Sequence, residues 1–301
     1  MTFLGTSSAA PTRDRGLPSI ALRREGEVVL LDSGEGVQRS IVSESIGLGR
    51  DMTILVTHLH GDHVSGLLGL LQTMSMAQRK KPVNIVGPQG LLRWLKVTAE
   101  ILHVGLTFPI LFSKAKPGLV LKTNGFKVRA ARATHSVEAF SYLVQELTRP
   151  GIFHPEKAKA LGVPEGKLWS RLQKGRAVVV DGRRIEPGLV TGAPRPGRTV
   201  GYSGDTRPSK SLVRFFKGCD LLIFDSTFKG GDLEKAVERK HSTSLEASRL
   251  AKEAGVRKLA LTHFSARYSN VASLVREARR VFPATFAASD GLSVEVSYPS
   301  E

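Results

Sequence analysis

Positions His58-Leu59-His60-Gly61-Asp62-His63 bring three imidazoles and a carboxylate together directly after the run Thr53-Ile-Leu-Val56. The β-branched and apolar residues of that run predict a strand, so the cluster stands at a strand end. Packed this closely, the imidazoles and the carboxylate desolvate and repel one another unless a cation takes up their lone pairs. In an extended loop His58 and His60 point the same way, while a turn at Gly61 sends Asp62 and His63 elsewhere. The spacing suits two adjacent metal ions.

Composition limits what else can ligate. Cys219 is the one cysteine in 301 residues, which excludes an internal disulfide, a C-x-x-C redox pair and a zinc site built from several thiolates. Any metal is therefore held by His and carboxylates. The remaining histidines are His103, His135, His154, His241 and His263. His135 follows Phe126-Lys-Val-Arg-Ala-Ala-Arg-Ala-Thr134, whose alternation predicts a strand with one basic face, and His263 follows Lys258-Leu-Ala-Leu-Thr262. Asp205, in Gly204-Asp205-Thr206 after 199–203, stands at a third strand end. That shared placement favours ligation by all three. His103 lacks any partner pattern and reads as structural, and His154 reads as an exposed residue.

Along the first 145 residues, strand-like runs at 2–4, 19–22, 28–31, 53–57 and 83–86 alternate with helix-like stretches near 35–46, 64–79 and 89–102, a mixed α/β pattern. The texture changes at 149–198, where fourteen of 50 residues are Gly or Pro and eleven Lys/Arg face four Asp/Glu, a net charge of +7. Short helices are expected near 155–161 and 166–174, with a hairpin Ala177-Val-Val-Val180, Asp181-Gly182, Arg183-Arg-Ile185 between them and the return of the α/β pattern at Thr199. The segment reads as an inserted arm, with an ordinary surface excursion as the plainer alternative. The whole chain carries +17, from 44 Lys+Arg against 27 Asp+Glu, so a polyanionic partner is expected. The start, MTFLGTSSAAPTR, has neither a basic leader nor a sustained apolar core. No stretch approaches the roughly 18 apolar residues of a membrane helix. A cytoplasmic protein with no membrane partner is expected.

The run His58-x-His60-x-Asp62-His63 with later His135, Asp205 and His263 resembles the metallo-β-lactamase superfamily. Phe3-Leu4-Gly5-Thr6-Ser7, Leu31-Asp32-Ser33-Gly34-Glu35-Gly36, Ser203-Gly204-Asp205-Thr206-Arg207-Pro208 and Thr262-His263-Phe264-Ser265-Ala266-Arg267-Tyr268 are similar to the short form of ribonuclease Z, the tRNA 3′-processing endonuclease family. Arg149-Pro150-Gly151-x-Phe153 through Lys157-Ala158-x-Ala160-Leu161-Gly162-Val163-Pro164 resembles the start of that family's exosite arm. The resemblance implies a four-layer αβ/βα sandwich across 1–301, with 149–198 as a tRNA-binding exosite arm.

Carried over residue by residue, the resemblance implies two zinc ions per subunit, with Mn2+ or another divalent ion as the substitute. One is bound by His58, His60 and His135, the other by Asp62, His63 and His263, and Asp205 bridges them. A shared water, activated between the ions, then attacks phosphorus in line and the tRNA keeps a 3′-hydroxyl at or near the discriminator nucleotide. Asp62 also orients or deprotonates that water. The leaving 3′ oxygen needs a proton, and His241, at the entrance of a helix that Ser/Thr residues can cap, is expected to give it.

Asp225, in Phe224-Asp225-Ser226-Thr227, is the expected carboxylate partner of His241, although many family members have His-Glu-Ala-Thr there. Arg13 and Arg15 stand in Pro11-Thr12-Arg13-Asp14-Arg15-Gly16, where the family pattern Pro-x-Lys-x-Arg-Asn has Asn in place of Gly16. With Ser265 and Arg267 they are expected near the scissile phosphate. On the arm, Lys157, Lys159, Lys167, Arg171, Lys174 and Arg176 are expected to hold the precursor tRNA. The family commonly forms homodimers in which one subunit's arm clamps the tRNA cut by the other. Two other readings remain open: a hydrolase of the same fold acting on a small phosphodiester or thioester, and a non-catalytic RNA-binding protein. The basic arm favours the pre-tRNA enzyme, because a small substrate gains little from distant cations.

Overall fold

Val28 and Leu30 face one side of the strand Glu27–Leu31 and Val29 and Leu31 the other, and all four are buried. A strand that is apolar on both faces has to be covered on both. The computed structural model, which describes residues 1–298, covers it with a helical layer on one side and a second sheet on the other.

The first sheet has six strands in the order Thr2–Gly5, Ser19–Arg24, Glu27–Leu31, Asp51–Leu55, Val83–Gly87, Ile110–Lys114. The second has seven, in the order Thr285–Ala287, Leu259–Thr262, Leu221–Asp225, Thr199–Tyr202, Phe140–Glu146, Phe126–Arg132, Gly118–Lys122. Val29, Leu31 and Leu55 meet Phe140, Tyr142, Tyr202 and Ile223 between the sheets. Outside the first sheet, Leu30, Ile54 and Ile85 pack on the helices Val37–Ser43, Gly66–Met76 and Gly90–Ile101. Outside the second, Leu222, Phe224 and Leu261 pack on Lys210–Phe215, Ser244–Ala254 and Ala272–Val281. The result is a four-layer αβ/βα sandwich.

The strands Glu27–Leu31, Asp51–Leu55 and Val83–Gly87 run parallel, as do Thr199–Tyr202, Leu221–Asp225 and Leu259–Thr262. Their C-terminal ends gather Asp32, residues 58–63, Asp205, Asp225 and His263, the edge where α/β sheets place ligands. Sequence periodicity differs from the structure in detail. The helix expected near 64–79 is divided into one turn at Gly61–Val64 and the helix Gly66–Met76, and the one near 35–46 shortens to Val37–Ser43. Ile110–Lys114 and Gly118–Lys122 lie at sheet edges and are half-exposed, so they lack a strong apolar signal.

Between Glu146 and Thr199 the chain makes a separate body. It holds the helices Pro155–Ala160 and Lys167–Gln173 and the hairpin Val178–Val180/Arg183–Ile185, whose turn residues Asp181 and Gly182 both have positive φ. Ala158, Val163, Leu172, Val178, Ile185 and Val190 form its own small core, with Phe153 and Trp169 against it. It is rooted where Gln145 pairs with Thr199, one strand length from the edge that carries Asp205. Among the described residues no helix is long and apolar enough to cross a membrane.

Candidate metal centre

His58, His60, Asp62 and His63 follow Asp51–Leu55, with His60 at the N-cap of the turn Gly61–Val64. His135 follows Phe126–Arg132, Asp205 follows Thr199–Tyr202, and His263 follows Leu259–Thr262 with φ of +62°. Gly204, immediately before Asp205, has φ of +57°, and a Cβ there would stand 2.7 Å from the Thr57 methyl group. Only glycine lets this turn lie against the first sheet.

These seven residues form two adjoining groups. His60 Nδ1 lies 3.0 Å from His58 Nε2 and 3.2 Å from His135 Nε2. Asp205 Oδ2 is 3.6 Å from His58 Nε2 and 3.8 Å from His135 Nε2. Its other oxygen, Oδ1, is 3.3 Å from His63 Nε2 and 3.2 Å from His263 Nε2. Asp62 Oδ2 completes the second group at 3.5 Å and 3.6 Å from the same two nitrogens.

The outer face of each imidazole fixes which nitrogen points inward. His135 Nδ1 donates to the Lys240 carbonyl and His63 Nδ1 to Asp32 Oδ2. The Thr57 and Thr227 hydroxyls donate to Asp32 and Asp225, so they accept from His58 Nδ1 and His263 Nδ1. Nε2 of His58, His63, His135 and His263 therefore converges with Nδ1 of His60, as happens where partners around a metal set ligand tautomers. Asp205 Oδ1 is buried without a hydrogen-bond partner among the described residues. An orphaned carboxylate oxygen facing converging nitrogens fits divalent cations, and an all-nitrogen and carboxylate set suits Zn2+.

Electrostatics agree with that fit. Burial drives His58 down to about 2, so it stays neutral and able to ligate. Burial also works against a charge on His63, but Asp205 and Asp32 outweigh it and hold the imidazole protonated when no cation is bound. Burial opposes ionisation of Asp205 too, and the facing His263, His63 and His58 more than offset it. A cation entering this site displaces a proton from His63.

His241 stands just before the helix Ser244–Ala254, which Thr243 and Glu246 close with a capping box. Its ring is stacked on His263 and edge-on to His135, with centroids 5.3 Å and 5.1 Å away. Nδ1 donates to Asp225 Oδ2 at 3.0 Å. Burial disfavours the imidazolium, yet the Asp225 charge and hydrogen bond, with Asp205 behind them, raise His241 to about 9. Asp205, Asp225, His241 and His263 also cluster closely enough to hold an ion. Both Asp225 oxygens are already taken by donors, however, Oδ1 by Thr227 and Oδ2 by His241, Thr206 N and Ser242 N. Asp225 is thereby an orienting carboxylate.

The remaining candidates divide. Arg13 is exposed, whereas Arg15 turns inward, donating to Thr6 Oγ1 and the Ala288 carbonyl with its guanidinium 4.8 Å from the Phe264 ring centroid. Arg15 fastens the loop that Arg13 crowns. Arg267 lies over Phe228, whose ring is edge-on to His241, and donates to Ser265 Oγ. Lys157, Lys159, Lys167, Arg171, Lys174 and Arg176 are all exposed on the separate body, which leaves the sandwich at Thr199, the other end of the strand that leads to Asp205. His103 is exposed after Gly90–Ile101, and His154 is half-buried beside Glu156.

Several supporting residues receive no role from the sequence alone, although Asp32 and Arg207 stand in the family-like motifs. Asp32, buried with φ of +55°, accepts from Thr57 N, Thr57 Oγ1, His63 Nδ1 and Tyr202 Oη. Its signal was the strand-end placement of Leu31-Asp32-Ser33-Gly34. Ala9 N donates to Asp62 Oδ2 at 2.9 Å, and Arg207 holds both the His241 carbonyl and Glu246.

The beta-lactamase superfamily domain matches residues 29–264. A ribonuclease Z of Nitrosopumilus maritimus is 46% identical over 296 residues, covering 98% of this chain and 99% of that protein. The chain belongs to the ribonuclease Z family. A ribonuclease Z of Myxococcus xanthus is 40% identical, covering 98% of this chain and 97% of its own length. The crystal structure of human tRNase Z, short form, superposes with a TM-score of 0.71 at 27% identity, covering 98% of each chain. Within this ribonuclease Z family member, Asp225 reaches the imidazole partner from a position where Phe224 faces the helical layer.

Proposed function

We propose that this protein is a zinc-dependent endoribonuclease that removes the 3′ trailer from precursor tRNA, cutting at or near the discriminator nucleotide. The observation that carries the reading is Asp205, whose two oxygens face two different groups of inward nitrogens. His58, His60 and His135 with Asp205 would hold one ion, and Asp62, His63 and His263 with Asp205 the other. Divalent ions held there would make water a competent nucleophile near neutral pH and would neutralise charge growing on the phosphate oxygens.

The chain's own groups supply the rest. Asp62, held by the Ala9 N–H, orients the attacking water or takes its proton. His241, kept cationic by Asp225, directs Nε2 at the leaving oxygen and delivers the proton that makes the tRNA 3′-hydroxyl, while the trailer leaves with a 5′-phosphate. Arg267 and Ser265, linked to His241 through the Phe228 ring, and the exposed Arg13, on the loop that Arg15 fastens, would hold the scissile region. Lys157, Lys159, Lys167, Arg171, Lys174 and Arg176, all exposed on the 149–198 body, would grip the tRNA through phosphate contacts. Because that body is rooted at the edge opposite the metal centre, a homodimer in which each arm serves its partner's site is part of the proposal.

The test is to incubate the purified protein with a 3′-extended pre-tRNA, with and without a chelator, and to sequence the product ends. The reading requires one chelator-sensitive cut that leaves a 3′-hydroxyl next to the discriminator. Exonucleolytic shortening, or no cleavage of any pre-tRNA, contradicts it.

A further inference from the structure

The 149–198 body packs on itself. Among the described residues its core draws only on those between Phe153 and Val190, and no side chain of the sandwich enters it. Its link to the sandwich is a narrow two-stranded neck, with Arg149 N donating to Arg195 O, Arg195 N to Arg149 O, and Gly192 N to Ile152 O. A Cβ on Gly151 would stand 1.9 Å from the Gly192 carbonyl oxygen, so the two strands touch backbone to backbone. Such a neck leaves the direction of the body to whatever braces its base.

One side chain from elsewhere in the chain does so. The segment Leu292–Val296 laces along the first strand, with Phe3 N donating to Leu292 O and Val294 N to Met1 O. Arg198 Nη1 donates to the Val296 carbonyl. Two residues on, the Tyr298 ring receives both the Arg149 guanidinium, 3.5 Å from its centroid, and the Arg198 guanidinium, 4.3 Å away. These arginines are the outgoing and returning strands of the neck. Arg198 is fastened to the sandwich by Glu146, which accepts from its Nε and Nη2 and also from Arg24. Arg149 Nε, by contrast, is buried without a hydrogen-bond acceptor among the described residues, so the ring is its evident stabilising contact. Two guanidinium groups this close repel, and an aromatic face attracts each.

We propose that Tyr298 is a positioning residue for the basic arm. By joining Arg149 to the sandwich-anchored Arg198, it sets the direction in which the arm presents its cations to RNA. The inference rests on the reading of the arm as a tRNA grip.

The test compares full-length Tyr298→Ala, Tyr298→Phe and an arm deletion with wild type. Hydrogen exchange of the free proteins is measured, together with kcat and KM for pre-tRNA and for bis(p-nitrophenyl) phosphate. Tyr298→Ala should speed exchange at 149–153 and 190–198 and raise the pre-tRNA KM by roughly 5- to 30-fold, the range two exposed cation–π contacts span. Its kcat and its turnover of the small diester should not change. Tyr298→Phe, which keeps the ring, should behave as wild type. A Tyr298→Ala protein with wild-type KM, while the arm deletion raises KM, overturns the positioning role alone. An arm deletion with wild-type KM overturns the grip, and the positioning role with it.

Discussion

Asp225 Oδ2 accepts the Nδ1 proton of His241 at 3.0 Å while also taking the backbone N–H groups of Thr206 and Ser242. Held from three sides, the carboxylate does not swing away when the imidazole changes charge. The pair therefore fixes the ring of His241 against His263 and His135 and favours its protonated form.

Replacing His241 by Ala should lower kcat for pre-tRNA by roughly 10²- to 10⁴-fold, the usual cost of losing a general acid. Metal content, measured by mass spectrometry, should remain that of wild type. Loss of metal together with activity would instead make His241 a ligand.

The pH profile has a defined sign. His241 is raised to about 9, so its acid form is present below that pH and is lost as pH climbs through it. With Asp225→Asn the nearest charge that offsets burial is lost and only the more distant Asp205 remains, so the alkaline limb of kcat should move to lower pH. A limb that stays in place removes Asp225 from the mechanism.

Asp32 and Tyr202 reach the centre only through His63 and Thr57. Tyr202→Phe deletes one donor to a buried carboxylate, which should lower stability by about 1.5–3 kcal/mol in chemical denaturation. Metal affinity should fall by roughly 10- to 100-fold, the range found for partners of ligating side chains. Unchanged affinity would mean that His63 needs no fixed tautomer.

If the arm's cations neutralise phosphates, tRNA affinity should fall steeply with salt, and each Lys or Arg changed to Ala on the arm should flatten the slope of log Kd against log[salt] by about 1. Equal slopes in wild type and variants would return the arm to a solvated surface.

Cys219 is buried and its thiol is pushed up to about 12, chiefly by burial. In the native protein at pH 8 a thiol reagent should leave it untouched, and in denaturant one thiol per chain should react. Fast native labelling would place the residue outside the helix-covered core.

The metal cluster was legible because its signal is local: His58, His60, Asp62 and His63 lie within one strand end, and His135, Asp205 and His263 share the same placement. Strands buried on both sides, such as Glu27–Leu31, were legible for the same reason. Long-range relations were not. Arg15 reads as a substrate-facing cation until Thr6, Phe264 and Ala288, each from a different strand end, are seen to surround it. The half-exposed edge strands at Ile110–Lys114 and Gly118–Lys122 gain their pairing from neighbours rather than from their own pattern. The four-layer order came from family resemblance, since alternation alone does not say which sheet faces which.

The most direct measurement strips the protein with a chelator, adds back zinc in steps, and follows cleavage of a 3′-extended pre-tRNA at each step. With Asp205 shared between two groups of ligands, the rate should rise from near zero to a plateau at two zinc ions per chain, and Asp205→Ala should never reach it. Full cleavage by the stripped protein, or a plateau reached at a single ion, would contradict the account.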